Sequence, residues 1–298
     1  MNSIIRRGLL VSTLVVLTIG ISSANASEQG AIKMDAKTAI EKINNADHKI
    51  INHLDEVEQI DYTTLLDSAM RSPNNKVREI LPYFLGHFKA DWSMLMLLKL
   101  GMDGSPKVRA VAAQEILERA APEHFKPLIE IIKWHYTLPE KDGENLPVAE
   151  WILAAGKAAT SKDVDDLLGL AKKEKDPELQ EAYQYALGKA GYVKETRRLE
   201  FVLKSGTPEQ KNATLTEIQF INDKSWILKV VPLLWEDEIA KQLQLGPAIF
   251  YFKVCDIALI TLLTLDPQRL PDLAEIRDSP FSKPQIEAAR KEFEKDRH

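Results

Sequence analysis

A helix start is written into this chain several times over. At Asp103–Arg119 the sequence reads D-G-S-P-K-V-R-A-V-A-A-Q-E-I-L-E-R. Ser105 stands where a side-chain oxygen can accept a bond from a free first-turn amide, and Pro106 follows at the first helical position, where a missing N–H costs nothing. Val108, Val111, Ala112, Ile116 and Leu117 then recur at three- and four-residue steps along one side, while Lys107, Gln114 and Glu118 fall on the other. Ser72-Pro73, Asp176-Pro177 and Thr207-Pro208 open similar stretches, and Leu146-Pro147 and Gly246-Pro247 repeat the proline without a strong side-chain cap. These prolines lie 33, 41, 30, 31 and 39 residues apart. A period of about 30–40 residues is the signature of stacked helical hairpins.

Each proline start has an apolar stripe just upstream that predicts a partner helix: Tyr62 to Met70, Asp91 to Leu100, Glu123 to Tyr136, Asp163 to Lys173, Lys194 to Leu203 and Ser225 to Trp235. About six hairpins result, with no convincing strand. Thr137 to Asn145 is a polar loop in the third unit, and Lys283 to His298 reads as a charged amphipathic helix with Ile286, Ala289, Arg290 and Phe293 on one side. Residues 31–58 read as one long polar helix with a heptad stripe of Ala36, Ile40, Ile43, Ile50, Leu54 and Val57, broken at Asp47. A helix of this kind covers the open end of a first repeat, or serves as a dimerising arm.

Residues 1–26 carry Arg6 and Arg7, an apolar run from Leu9 to Ile21 and then Ala24-Asn25-Ala26, the layout of a cleaved export signal with Ser27 as the new first residue. The run has 13 residues, short of the roughly 20 that span a bilayer. Without it, 37 basic residues face 44 acidic ones, a net charge of −7. That balance argues against nucleic acid, whose binders show a basic excess on one face. The acid-interrupted cluster Lys172-Lys173-Glu174-Lys175 reads as solvated surface, and the lone Cys255, among Val254, Ile257 and Ala258, reads as a buried apolar residue.

The hairpin length, the Asp or Ser before Pro, and above all S-P-K-V-R-A-V-A-A-Q-E-I-L resemble HEAT repeats, including the bacterial phycobilisome-lyase-like set, over about Tyr62 to Leu265. The resemblance implies an all-α fold, a right-handed α-solenoid with capping helices at both ends. Its parts would be a signal peptide at 1–26, an N-terminal cap at 27–60, the solenoid at 61–275 and a charged helix at 276–298. It also implies a turn ladder of Asp103 with Arg109, in which Arg78 matches only the arginine position, and Trp151, Gln180, Lys211 and Lys253 stand at that place in later units.

Some HEAT-like proteins are di-iron hydroxylases with His-Glu pairs, but no His-Glu dipeptide occurs here. The histidines His48, His53, His87, His124, His135 and His298 are scattered and read as surface or half-buried. H-E-x-x-H, C-x-x-C-H, G-x-S-x-G and a glycine-rich phosphate loop are likewise missing from the sequence, so no catalytic, cofactor or metal residue is expected. A non-catalytic scaffold that binds a protein or peptide on its concave side is the leading reading. Trp134, Tyr136, Tyr183, Tyr185, Phe250 and Tyr251 are the candidate anchors, since aromatics dominate interface energies. The alternatives are an envelope-associated structural protein that self-associates or lies on a membrane through its N-terminal helix, and a HEAT-like lyase or hydroxylase whose groups converge only in three dimensions.

Overall fold

The computed structural model describes residues 34–138, 147–273 and 279–296. The expected signal at 1–26, most of the polar loop and the terminal His298 lie outside the described residues. The chain forms two compact units, one running to Ala159 and including Ala171–Tyr183, the other made of Thr160–Leu170 and Gln184 onward. Helix dominates both.

In the first unit α1 (Ala36–Asn44) and a 3-10 stretch (His48–Glu56) precede α2 (Asp67–Met70), α3 (Asn75–His87), α4 (Asp91–Leu100), α5 (Pro106–Arg119), α6 (Phe125–His135) and α7 (Val148–Ala158). Helix α5 packs on both α3 and α7; α4 lies against α3 and α5, and α6 against α7. Tyr62, Phe84, Phe88 and Trp92 make an aromatic cluster at one end, with Tyr62 edge-on to Phe84 at 5.1 Å between centroids.

Helices α8 (Val164–Ala171) and α9 (Pro177–Lys189) cross the division, and the second unit continues with α10 (Val193–Ser205), α11 (Pro208–Ile221), α12 (Ile227–Val230), β1 (Ile239–Leu245), β2 (Ala248–Lys253), α13 (Val254–Leu265) and α14 (Lys283–Phe293). Its core joins Leu215, Ile218, Val230, Leu234, Leu259 and Leu262 to Ile286, Ala289 and Phe293 of α14, the side that the sequence marks as apolar. Cys255 is buried there, as its neighbours predict, and burial followed by the Asp256 and Asp237 charges pushes its thiol up to about 12.

The proline starts hold in part. Asp176 Oδ1 accepts from the Glu178 amide at 2.8 Å, and Thr207 Oγ1 accepts from Gln210 at 3.3 Å while Gln210 Oε1 answers at 2.9 Å. Ser105 caps nothing with its hydroxyl; its own amide instead donates to Asp103 Oδ1 at 2.8 Å, which fixes the turn before Pro106. Helix α3 starts after Pro73, with Asn74 Oδ1 accepting from Lys76 at 3.0 Å.

Gly246-Pro247 opens no helix. It is the two-residue loop of an antiparallel hairpin in which Leu245 faces Ala248, Leu243 faces Phe250 and Lys241 faces Phe252. Gly246 takes φ +59, the conformation that a tight hairpin asks of its first loop residue. The expectation of a chain without strands is therefore corrected: the alternation Leu243, Leu245, Ala248, Phe250, Phe252 has the period of a strand, not of a helix.

The long N-terminal helix is corrected too. Ala46 sits at φ 54, in the left-handed region, and Asp47 caps the following stretch by accepting from Lys49 at 3.1 Å. The stripe is used within the chain, with Ile43, Ile50 and Val57 buried and both pieces packed on α3. A left-handed alanine costs about 1–2 kcal/mol, part of which glycine would return as unfolded-chain entropy. Ala46→Gly is therefore expected to stabilise the protein by roughly 0.5–1 kcal/mol, read as a higher urea midpoint with unchanged slope; a lower midpoint would show that the turn is not held as described.

Ladder positions share a geometry. Arg78 Nη1 donates to the Ser72 carbonyl, Arg109 Nη1 to the Asp103 carbonyl at 2.7 Å and Gln180 Nε2 to the Glu174 carbonyl at 2.9 Å, each reaching six residues back. Arg78 also grips the Asp103 carboxylate, Nε to Oδ2 at 2.7 Å and Nη2 to Oδ1 at 3.1 Å. Lys211 does the same to Glu236 at 2.6 and 2.7 Å, and both carboxylates lie 25 residues ahead of their cations. The expected Asp103–Arg109 pairing is thus corrected in detail: Arg109 holds the Asp103 backbone, and the carboxylate belongs to Arg78.

Candidate partner-binding surface

Of the six candidate anchors, Trp134, Tyr136 and Tyr183 belong to the first unit and Tyr185, Phe250 and Tyr251 to the second. Tyr183 and Tyr185 are buried, at 1% and 4% exposure, which leaves their rings no surface to offer a partner. They fill the core because α9 turns that side inward along with Ala182 and Ala186. Trp134 is half-buried under the Arg109 guanidinium, 5.7 Å from its ring centroid. Tyr136 is 45% exposed, but its hydroxyl is held at 2.5 Å by Glu174 Oε2 and at 3.2 Å by the Tyr183 hydroxyl, so that ring is a strut with one wet face.

The hairpin is different. Phe250 and Phe252 point inward, Phe252 joining the core and Phe250 packing against it. Tyr251 and Ile249 point outward at 51% and 47% exposure, across from Gln242 and Gln244. A register shift between Ile239 and Lys241 places Ile239, opposite Lys253, on the same outer side, 55% exposed. Three large apolar side chains on the solvent side of a two-stranded ribbon run against the polar-out rule for such a ribbon. Sequence reading found Tyr251 and missed Ile239 and Ile249; strand alternation through Gly246 carries the signal for Ile249, whereas Ile239 reaches the outer side only through the register shift. Phe201 and Leu228, at 70% and 64%, are further exposed apolar residues of the same unit.

No family model matches this sequence, and no curated protein matches it.

The structure also holds a buried polar group that the sequence does not announce. His135, read as a surface or half-buried residue, is 2% exposed between Trp134 and Trp151, and neither ring nitrogen has a hydrogen bond of ordinary geometry. Burial pulls the imidazole down to about 4, the Arg109 charge adds to this, and the Gly101 backbone offsets part of it. His135 is therefore neutral at pH 7 and behaves as an aromatic of the core. Among the described residues, no group of three or more His, Cys, Asp or Glu side chains could hold a metal ion, and no helix is long and apolar enough to cross a membrane.

Proposed function

We propose that this chain is a HEAT-like helical-repeat protein, a right-handed α-solenoid with capped ends, that works outside the cytosol as a non-catalytic scaffold holding a protein or peptide partner. The ladder supports the repeat reading, because side chains at corresponding places reach six residues back and 25 residues ahead in distant parts of the chain. Export rests on the tripartite layout of residues 1–26. The observation that carries the binding reading is the outer face of the hairpin, where Ile239, Ile249 and Tyr251 stand exposed together. This moves the expected contact surface from the helical aromatics to a ribbon.

Fully burying a large apolar side chain contributes about 1.5–3 kcal/mol, and an aromatic at the centre of an interface contributes most. A photo-crosslinking residue in place of Tyr251, in cells that make the protein, is expected to give one discrete adduct with another polypeptide. The adduct should fall at least about tenfold when Ile239→Ser and Ile249→Ser are added. The same crosslinker at Tyr136 should give none. A silent position 251, or an adduct indifferent to the two serines, would overturn the assignment; an adduct only with a second copy would replace it by self-association.

A further inference from the structure

Gly86, near the end of α3, lies so close to Glu115 on α5 that a β-carbon there would meet Glu115 Oε2 at 2.0 Å. The second unit repeats the pairing, again 29 residues apart: a β-carbon on Gly188 would meet Glu217 Oε1 at 3.1 Å. In the second unit a guanidinium takes the carboxylate. Arg198, on α10, donates from Nη2 to Glu217 Oε2 at 2.6 Å and from Nε to Glu195 Oε2 at 2.6 Å. In the first unit Arg119 is spent elsewhere, on the carbonyls of Leu85 at 3.4 Å and Ala90 at 3.2 Å and on Ser93 Oγ at 3.0 Å. Among the described residues, none donates a hydrogen bond to the Glu115 carboxyl.

Beside Glu115 opens a cleft of about 350 Å³, at the low end of the roughly 300–1,000 Å³ usual for small-ligand sites. Asp91, Glu118 and Glu123 line it against Lys89 and Arg119, so acid outweighs base. The place recurs in the second unit as a smaller cleft of about 160 Å³, where Gly188, Gly191, Ile221 and Trp226 stand 102 residues after Gly86, Lys89, Arg119 and His124. The two units therefore share an architecture in which one carboxylate meets a guanidinium of its own chain and the other does not.

We propose that the Glu115 cleft binds an organic cation bearing a guanidinium group, with Glu115 as the anion it pairs with and Asp91 and Glu118 at the rim, the role that Arg198 plays toward Glu217. Charge-assisted, two-point pairing is the strong form of this contact and favours guanidinium over a neutral amide of the same shape. Binding is coupled to a proton. Burial first, and the Glu118 charge second, push the Glu115 carboxyl up to about 7, with Arg119 working against them. Tyr83 on α3, Lys89 and Asp91 ahead of and in α4, and Glu123 and His124 beyond α5 complete the titratable surroundings. A captured cation selects the charged carboxylate, so near pH 7 part of a proton leaves for each cation bound. Glu115 lies in the first unit and the hairpin in the second, so failure of either reading leaves the other standing.

Calorimetric titration of the full chain with argininamide, in two buffers of different ionisation enthalpy, tests this. We expect saturable binding that releases about half a proton at pH 7 and tightens about twofold by pH 8.5. Citrulline amide, whose ureido side chain is the uncharged isostere of the guanidinium, should not bind, and Glu115→Gln should weaken argininamide at least about tenfold. A capped Gly-Arg-Gly peptide separates the sources: equal or tighter binding assigns the cation to an arginine of a partner chain, and exclusion of the peptide assigns it to a free small molecule. Equal heats for argininamide and citrulline amide, or no heat at pH 8.5, would overturn the proposal even if the Glu115 variant failed to fold.

Discussion

Lowering the pH from 6.5 to 4 is expected to remove about 3 kcal/mol of folding stability through His135 alone. In the folded chain its imidazole is pulled from the ordinary 6.5 to about 4, so the unfolded chain takes up the proton first. The stability it contributes is intact above pH 6.5, drains as the pH falls, and is gone below about 4. At about 1.36 kcal/mol per pH unit, a depression of this size gives the figure above. His135→Leu should abolish that slope. Glu115 slopes the other way. Its carboxyl is raised from 4.5 to about 7, so it favours the fold most below pH 4.5 and loses that contribution as the pH rises through 7. Because the group is partly exposed, about 2 kcal/mol is a fair figure. Between pH 4.5 and 6.5 the two oppose each other, and the native protein should show a flatter profile than either alone. Glu150 and Asp256, also pushed up by burial, act in the Glu115 direction in every variant and cancel in the comparison. Urea melts at pH 4, 5.5 and 7 decide it: His135→Leu should gain stability toward acid and Glu115→Gln should lose more than the native chain, whereas parallel curves for all three would refute the assignment.

Arg78→Met is expected to destabilise the protein by about 3–5 kcal/mol, the cost of stranding a buried carboxylate. Asp103 and Arg78 side chains are 9% and 13% exposed, and the guanidinium also holds the Ser72 carbonyl and Asn75 Oδ1, so one substitution strips three acceptors at once. The Asp103 carboxylate has a second task, accepting the Ser105 amide at 2.8 Å, so the remaining charge cannot turn to solvent without undoing the start of α5. The double variant Arg78→Met, Asp103→Asn should recover at least about 1 kcal/mol of that loss, since neutralising both partners removes the stranded charge. Lys211→Met provides the contrast: Glu236 is 31% exposed, water can solvate it, and about 1 kcal/mol is expected. Equilibrium unfolding of the three variants beside the native chain measures this; equal, small losses at both rungs would mean that Asp103 is not buried as described.

Much of the helical layout is legible in the sequence. The stretch from Asp91 to Leu100 forms the helix predicted for it, and Asp176 and Thr207 cap the helices that follow them, because capping and proline placement are local chemistry that a few residues decide. The hairpin was misread for the same reason. Gly246-Pro247 fits a helix start and a tight turn equally well over two residues, and only the alternation on both sides separates them. Ala46 hid the break in the N-terminal helix, since nothing in an alanine announces a left-handed backbone. At the site level, the exposure of Tyr251 and the burial of Tyr183 depend on which side of an element meets the core, and a lone aromatic does not declare that. His135 and the Gly86–Glu115 contact are the least legible, because each brings together residues from different helices.

The hairpin is anchored where it leaves the helices. The Val254 amide bonds the Glu238 carbonyl at 2.9 Å, the Cys255 amide bonds the Glu236 carbonyl at 3.0 Å, and Lys211 clamps the Glu236 carboxylate. Such a ribbon behaves as a cantilever with a stiff root, and Tyr251 rides on its shaft instead of on a floppy tether. Whatever presses on that ring meets a lever already set in place, and little freedom is left to surrender on contact.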